Sequence, residues 1–242
     1  MIYVIILDMK KQLEEAALNY LGKNRILNID MIEPIRLNTA EILYAANDGV
    51  MIRELRSKAY MLATDESSRS IELIKTLNNP QVFRVQHKEV CDYLCEHSTF
   101  NEIMECFQAV YDSKFMIELS DRLNIRLLTI NNFMVVKENY EPLSDDEITQ
   151  HLINHDIYGG YYQDQIIGFI GTHFEGSIGL LHIMPEFRKM GFASQLESHL
   201  INLKLQENLV PYAQIEIHNQ KSLALQIKLG LTLSDKPLYW LF

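Results

Sequence analysis

The sequence predicts a mixed α/β (α+β) chain in two parts, an N-terminal α/β domain over residues 1–120 and a C-terminal domain over 121–242. Three features predict it. The stretch Ile178–Leu203 reads as a buried strand, a tight basic turn and an amphipathic helix. The first half alternates short β-prone runs with helical periodicities, around the turn signal Asn47-Asp48-Gly49. A second strand follows late in the chain, where Ala213, Ile215 and Ile217 alternate with Gln214, Glu216 and His218.

From the amino terminus, Met1–Leu7 is apolar and reads as a buried first strand. It is far too short to span a bilayer and lacks the basic region of a signal peptide. Asp8–Leu21 carries Leu13, Ala16, Ala17 and Leu21 at helical spacing, and Pro34 interrupts the chain beyond it. Ala40–Ala46 and Gly49–Glu54 flank the Asn-Asp-Gly turn as a hairpin, and Lys58–Ala63 is a further strand. Asp65 is placed to cap a helix holding Ile71, Leu73, Ile74 and Leu77, which Asn78-Asn79-Pro80 ends. Gln81–Val85 then reads as a strand and Lys88–Glu96 as a helix started by His87. Thr99-x-x-Glu102 is a capping box that opens a helix carrying Ile103, Met104, Phe107 and Val110.

The domain boundary falls between Lys114 and Asn124; Tyr111 and Lys114 before it read as a solvated helix end, with substrate contacts as the alternative. Arg126–Ile130 and Phe133–Lys137 are short strands. Ser144-x-x-Glu147 caps a helix that carries Ile148, Leu152 and Ile153, with His151 and His155 exposed, one turn apart and with no third metal ligand. Gly159-Gly160 turns the chain, and Tyr161–Gln163 and Ile166–His173 form a hairpin around Asp164-Gln165. Gly179–Met184 is a strand, apolar except for His182, and Pro185 stops it. Leu196, Leu200 and Leu203 then face a core. Asn219 caps a last helix, Lys221–Leu229, and Gly230 supplies its left-handed end.

Composition narrows the function. A net charge of −10 argues against general affinity for nucleic acid or an anionic membrane. Cys91, Cys95 and Cys106 are too few for a secreted disulfide framework and read as small buried thiols, so the cytoplasm is the expected compartment. Positive charge is instead concentrated locally. A strand that feeds a helix leaves the first helical N–H groups without partners, and the helix dipole adds partial positive charge. Arg188 and Lys189 bring two more charges to that place, Gly191 lets a ligand approach the backbone, and Ala193 adds little bulk. The sum is a site for a phosphate or diphosphate, without the spacing of a Walker loop or of GxGxxG.

The pattern Arg188-x-x-Gly191-x-Ala193 after a strand ending near Pro185, with Asn219 and Leu229-Gly230-Leu231 following in order, resembles the GCN5-related N-acetyltransferase (GNAT) superfamily. The resemblance implies a central mixed, mostly antiparallel sheet, splayed where coenzyme A enters. The layout of the first half is similar to the glycine N-acyltransferase-like branch, or FR47-like branch, in which a degenerate half is coupled to a working one. That makes the first half a lid, a scaffold or a homodimer surface. The resemblance also implies a site. Ile183 and Met184 meet the pantetheine arm; Arg188, Lys189, Met190, Gly191, Phe192 and Ala193 hold the diphosphate; Asn219 and Ser222 contact coenzyme A.

The implied activity is transfer of an acetyl, or another short acyl, group from acetyl-CoA to a small-molecule primary amine, with no metal. Two positions depart from the family pattern. Leu180 stands where a glutamate is usual, which leaves His182, two residues on, either as the base or as a structural histidine hydrogen-bonded in the sheet, with Glu175 and His173 upstream through water. Gln226 stands where a tyrosine usually protonates the thiolate, with Ser222 one turn earlier as a weak substitute and Tyr239 reading first as strand core. These departures keep open an alternative, an inactive acyl-CoA-binding module.

Overall fold

The computed structural model describes residues 2–78, 80–100 and 102–242, and side chains from Asp8 onward. In chain order the elements are α1 (Ile2–Leu21), α2 (Ile29–Arg36), β1 (Ala40–Ala46), β2 (Gly49–Glu54), β3 (Tyr60–Thr64), α3 (Ser67–Ile74), β4 (Phe83–Val85), α4 (Lys88–His97) and β5 (Ile103–Val110). There follow β6 (Asn124–Leu127), α5 (Phe133–Asn139), α6 (Asp145–Ile153), β7 (Ile157–Tyr162), β8 (Gln165–Thr172), β9 (Ile178–Ile183), α7 (Phe192–Gln206), β10 (Tyr212–Glu216), α8 (Gln220–Lys228), β11 (Thr232–Leu233) and β12 (Leu238–Leu241). They form two compact units. The first is Met1–Ala109 with Gln214–Leu223 and Thr232–Phe242; the second is Val110–Ala213 with Ala224–Leu231.

In the first unit the sheet order is β1-β2-β3-β4-β12-β5. Pairing is antiparallel except between β3 and β4. Alternation sorts its side chains onto two faces. Val50, Ile52, Met61, Ala63, Leu238 and Trp240 pack with Leu21 of α1 and Met31 and Ile35 of α2. Met51, Leu62, Phe83, Tyr239 and Leu241 pack with Leu73 of α3 and Val90 and Leu94 of α4. The sheet is thus buried on both sides. Arg84 of β4 lies wholly within the first layer and forms a two-bond ion pair with Asp30 of α2.

In the second unit β9, β8, β7 and β6 follow one another, each antiparallel to the next. The parallel β10 meets β9 at Ala213 opposite Ile178. Leu128, Val136, Ile148, Leu152, Phe169 and Leu180 build a core under α5 and α6. Helix α7 packs on β7, β8 and β9. The Ser144 capping box forms as expected, with Ser144 N–H on Glu147 Oε2 at 2.9 Å and Glu147 N–H on Ser144 Oγ at 3.3 Å.

Several sequence expectations are corrected. Residues 2–7 open α1 and are not a strand, while Met1 lies outside the described residues. Pro34 does not interrupt the chain; it sits inside α2, which runs on to Arg36. Asp65 caps nothing, because its carboxylate accepts the Tyr20 hydroxyl at 2.8 Å and α3 starts after Glu66. Asn79, within the expected stop of that helix, lies outside the described residues.

The run Ile103–Val110 is a strand, not a helix. Its apolar residues satisfy both periods, and the distant β12 decides between them by pairing Leu238 with Cys106 and Trp240 with Met104. Tyr111 and Lys114 therefore follow a strand and not a helix. Phe133–Lys137 is helical despite its β-branched pair, since only Val136 needs burial and the Thr129–Asn132 capping box sets the chain turning before it. Gly159 and Gly160 lie inside β7. A Cβ at Gly159 would come within 2.5 Å of Leu128 Cδ2, so the glycine marks close packing against the residue that follows β6, not a turn. Cys95 is exposed, whereas Cys91 and Cys106 are buried. His151, expected exposed, is buried, stacked on Phe174 and paired with Asp156.

Candidate active site

The site of interest in the second unit begins on β9. This strand carries one residue more than β8 between the pairs Gly171–Gly179 and Phe169–His182, and the surplus is absorbed where Leu180 takes φ 51°. A left-handed leucine is unusual and marks a bulge, which re-aims the residues after it. Leu180 is buried in the α5–α6 core with Phe169. His182 stacks on Phe169, ring centroids 5.6 Å apart and 19° from parallel, and its Nε2 is buried with no hydrogen-bond partner. Burial, and secondarily the charge of Arg188, hold the imidazole below the usual histidine range. It is therefore neutral near pH 7 and able to accept a proton.

Beyond β9 the chain makes a short 3-10 turn, Pro185–Phe187. Lys189 and Gly191 both adopt positive φ, 64° and 85°. Gly191 is the N-cap of α7, and a Cβ placed on it would meet nothing within 4 Å. The first bond inside α7 runs from Gln195 N–H to Gly191 O at 3.3 Å. The N–H groups of Phe192, Ala193 and Ser194 stand ahead of it at the positive end of the helix. Arg188, Lys189, Met190 and Gly191 are exposed, whereas Phe192 is buried and anchors the turn.

Two main-chain groups here are already engaged. Ile183 O accepts Arg188 Nε at 2.9 Å, and Met184 N–H donates to Ile167 O at 2.9 Å. A third cation was not foreseen. Arg122 donates to Met190 O at 3.3 Å and lies 5.1 Å over the Phe192 ring. Only the path of the 110–123 segment brings it there, and no local pattern announces that.

The other expected site residues are placed differently. Glu175 sits in the β8–β9 connection, where its Oε1 accepts the Ser177 hydroxyl. It precedes the first residue of β9, whereas His182 is the last but one, so about 13 Å of strand separates their ends. His173 lies at the same far end, its ring against Gly179, and burial lowers its pKa. Asn219 and Ser222 belong to the first unit, where Asn219 Oδ1 accepts Ser222 N–H at 3.1 Å as a helix cap. Tyr239 is in β12 with its hydroxyl on Glu105, at 3.2 Å. Gln226 is buried in α8, its amide donating to Glu197 of α7. Among the described residues no group of three histidine, cysteine or acidic side chains could hold a metal ion, and no helix is long and apolar enough to cross a membrane.

The model of the acetyltransferase (GNAT) family matches residues 97–231, more than half of the chain. No curated protein matches it by sequence. Among solved structures, a Drosophila protein superposes with TM-score 0.67 at 13% identity, over 97% of this chain and 95% of its own. A GCN5-related N-acetyltransferase from Kribbella flavida gives TM-score 0.57 at 7% identity, over 90% and 95%. A GCN5-related N-acetyltransferase-like protein from Streptococcus suis gives 0.54 at 14%, over 90% and 96%. At these identities the structures share a fold with this chain.

Proposed function

We propose, from the premise that this chain belongs to the acetyltransferase (GNAT) family, that it moves an acetyl group from acetyl-CoA directly to a primary amine held in the same ternary complex. Members of the family transfer acyl groups from acyl-CoA to amines, so the proposal concerns the acyl group, the acceptor class and the residues. The observation that carries it is the turn between β9 and α7. Two positive-φ residues point a helix N-terminus outward beside Arg188, Lys189 and Arg122. That arrangement suits the diphosphate of coenzyme A, a doubly charged group that backbone N–H donors and guanidinium groups can bind together.

Arg188 now donates to Ile183 O and would exchange that neutral acceptor for a phosphate. The exchange would free Ile183 O for the amide of the pantetheine arm. His182 is the proposed base. The amine nitrogen attacks the thioester carbonyl carbon and forms the C–N bond. The amine proton passes to His182, directly or through one water, and the electron pair of the broken C–S bond leaves on sulfur. The thiolate can be protonated from solvent, because a thiol is a modest acid. The acceptor is proposed as a small-molecule amine, and the free cysteines suit a reducing compartment such as the cytoplasm.

The test is release of free thiol from acetyl-CoA across a set of amines, run beside calorimetry with coenzyme A. Turnover with at least one amine, together with a measurable heat of binding, is expected. Tight binding without turnover would leave an acyl-CoA-binding module, and folded protein with no heat would end the reading.

A further inference from the structure

The Glu197–Gln226 pair has no part in the chemistry above and is unusually placed. Both side chains are only 2% exposed. Gln226 Nε2 of α8 donates to Glu197 Oε1 of α7. The two remaining oxygens, Glu197 Oε2 and Gln226 Oε1, are buried and without a partner. Two orphaned acceptors on a pair of side chains already joined by one bond are costly, and a carboxylate in that setting would hold a full charge against one amide donor. Reversing the Gln226 amide still leaves one acceptor facing another, so it does not supply the missing donor. A single proton on Glu197 removes the charge and supplies the missing donor, because a carboxylic acid and a primary amide can exchange two hydrogen bonds.

The charged groups around it are engaged elsewhere or not paired with it. The titratable groups on α7 are His199 and Lys204; His199 meets the Tyr158 ring and Lys204 donates to Gly176 O. From packed neighbours come His182 of β9, Tyr158, Tyr161 and Tyr162 of β7, and Lys228 of α8. The 110–123 segment, tied to α7 through Asn202, adds Tyr111, Asp112, Lys114, Glu118, Asp121 and Arg122. Among the described residues, Glu197 has no ion pair with any of them.

We infer that Glu197 is held as an uncharged acid that returns a hydrogen bond to Gln226 Oε1, and that this two-bond clasp between α7 and α8 positions the α7 N-terminus. Glu197 lies about one and a half turns into α7, so ionising it disturbs the helix close to the turn at Gly191. Burial raises its pKa to about 7, against the opposing bond from Gln226, which puts the change near neutrality. Glu197 is thus a positioning residue. Its effect on coenzyme A rests on the proposed diphosphate site, whereas the clasp itself does not.

The experiment compares the full-length protein with Glu197→Gln in two measurements across pH. A glutamine can form the same two bonds with Gln226 at every pH. In thermal unfolding, an acid whose folded pKa is raised loses stability as pH climbs from its unfolded value toward about 7, and loses no more above that. The difference in Tm, E197Q minus wild type, should therefore grow across that window and then level. In calorimetry with coenzyme A, wild-type affinity should fall several-fold from about pH 6 to about pH 8.5 relative to E197Q, where one ionisation is the only difference. A Tm difference that does not change with pH overturns the clasp, whatever the binding result. A growing Tm difference with parallel affinity curves overturns the positioning role. Absence of coenzyme A binding by both proteins at every pH overturns the diphosphate site and with it the positioning role, and the unfolding data then decide the clasp alone.

Discussion

The imidazole of His182 lies against the phenyl ring of Phe169, its cross-strand partner, with centroids 5.6 Å apart. That stacking is part of the burial that keeps the histidine neutral, and Arg188 adds a repulsive charge. A neutral base is the active form, so kcat at saturating acetyl-CoA and amine should rise with pH along an acidic limb whose midpoint lies below about 6.5 and then level. His182→Ala should lower kcat by roughly 10²- to 10⁴-fold and abolish the limb. Phe169→Ala and Arg188→Gln should each move the limb upward, the first further because burial is the larger cause. Unfolding follows the same sign: a depressed histidine pKa makes the unfolded chain take up protons first, so this contribution is lost as pH falls below about 6.5. Turnover of H182A that matches wild type at every pH would remove His182 as the base.

The turn before α7 makes a separable prediction. Gly191 has φ 85° and open space around its Cβ position. Alanine there meets strain but no clash, so G191A should cost about 1 kcal/mol of stability. Gly191→Asp adds negative charge where the diphosphate is proposed and should weaken coenzyme A by more than tenfold, as should Arg188→Glu. Arg122→Ala should weaken it less, because Arg122 is partly occupied with Met190 O and the Phe192 ring. Calorimetry on the four variants reads this order, and unchanged affinity in both R188E and G191D would dismiss the turn as the anion site.

How far the sequence carried can be seen at particular residues. The β9–turn–α7 unit was legible because Pro185, Gly191 and the Leu196–Leu200–Leu203 spacing each act locally. The hairpin around Asn47-Asp48-Gly49 was legible for the same reason, and its strands begin and end at the expected residues. Ile103–Val110 was misread because its fate is set by β12, which lies far away in sequence. Arg122 and Glu197 were missed because their surroundings are assembled by tertiary folding. The bulge at Leu180 was also invisible, since leucine gives no hint of a positive φ.

In the first unit, Arg84 and Asp30 form a fully buried ion pair through Nε–Oδ2 at 2.8 Å and Nη2–Oδ1 at 2.9 Å. Arg84 also donates to the carbonyls of Leu62 and Leu27. Asp30→Ala should destabilise the protein by about 3–5 kcal/mol, because it strands a guanidinium in the core. The double variant Asp30→Leu/Arg84→Met removes both charges and should recover much of that loss. Urea unfolding of the two singles and the double gives the coupling. A single-variant cost below about 1 kcal/mol would mean that water replaces Asp30 around Arg84.

The cysteines make the last prediction, because helix geometry and burial pull in opposite directions. Cys91 and Cys95 are one turn apart on α4, yet Cys91 faces the core of the first unit and Cys95 faces solvent. Burial, followed by the neighbouring Cys95, pushes the Cys91 thiol up to about 12, so almost no thiolate exists there at neutral pH. Cys106 is buried in β5. A thiol must ionise and be reached in order to react. Labelling the native protein with an excess of a disulfide reagent should therefore give one fast equivalent and two that react only as the chain unfolds. Cys95→Ser should erase the fast phase and change stability by less than about 0.5 kcal/mol, as at an ordinary surface site. Cys91→Ser should leave the fast phase in place while destabilising the protein, since a hydroxyl in that apolar layer lacks the packing of sulfur. Two fast equivalents in the folded protein would show that α4 opens readily and that Val90, Cys91 and Leu94 do not hold it to the sheet.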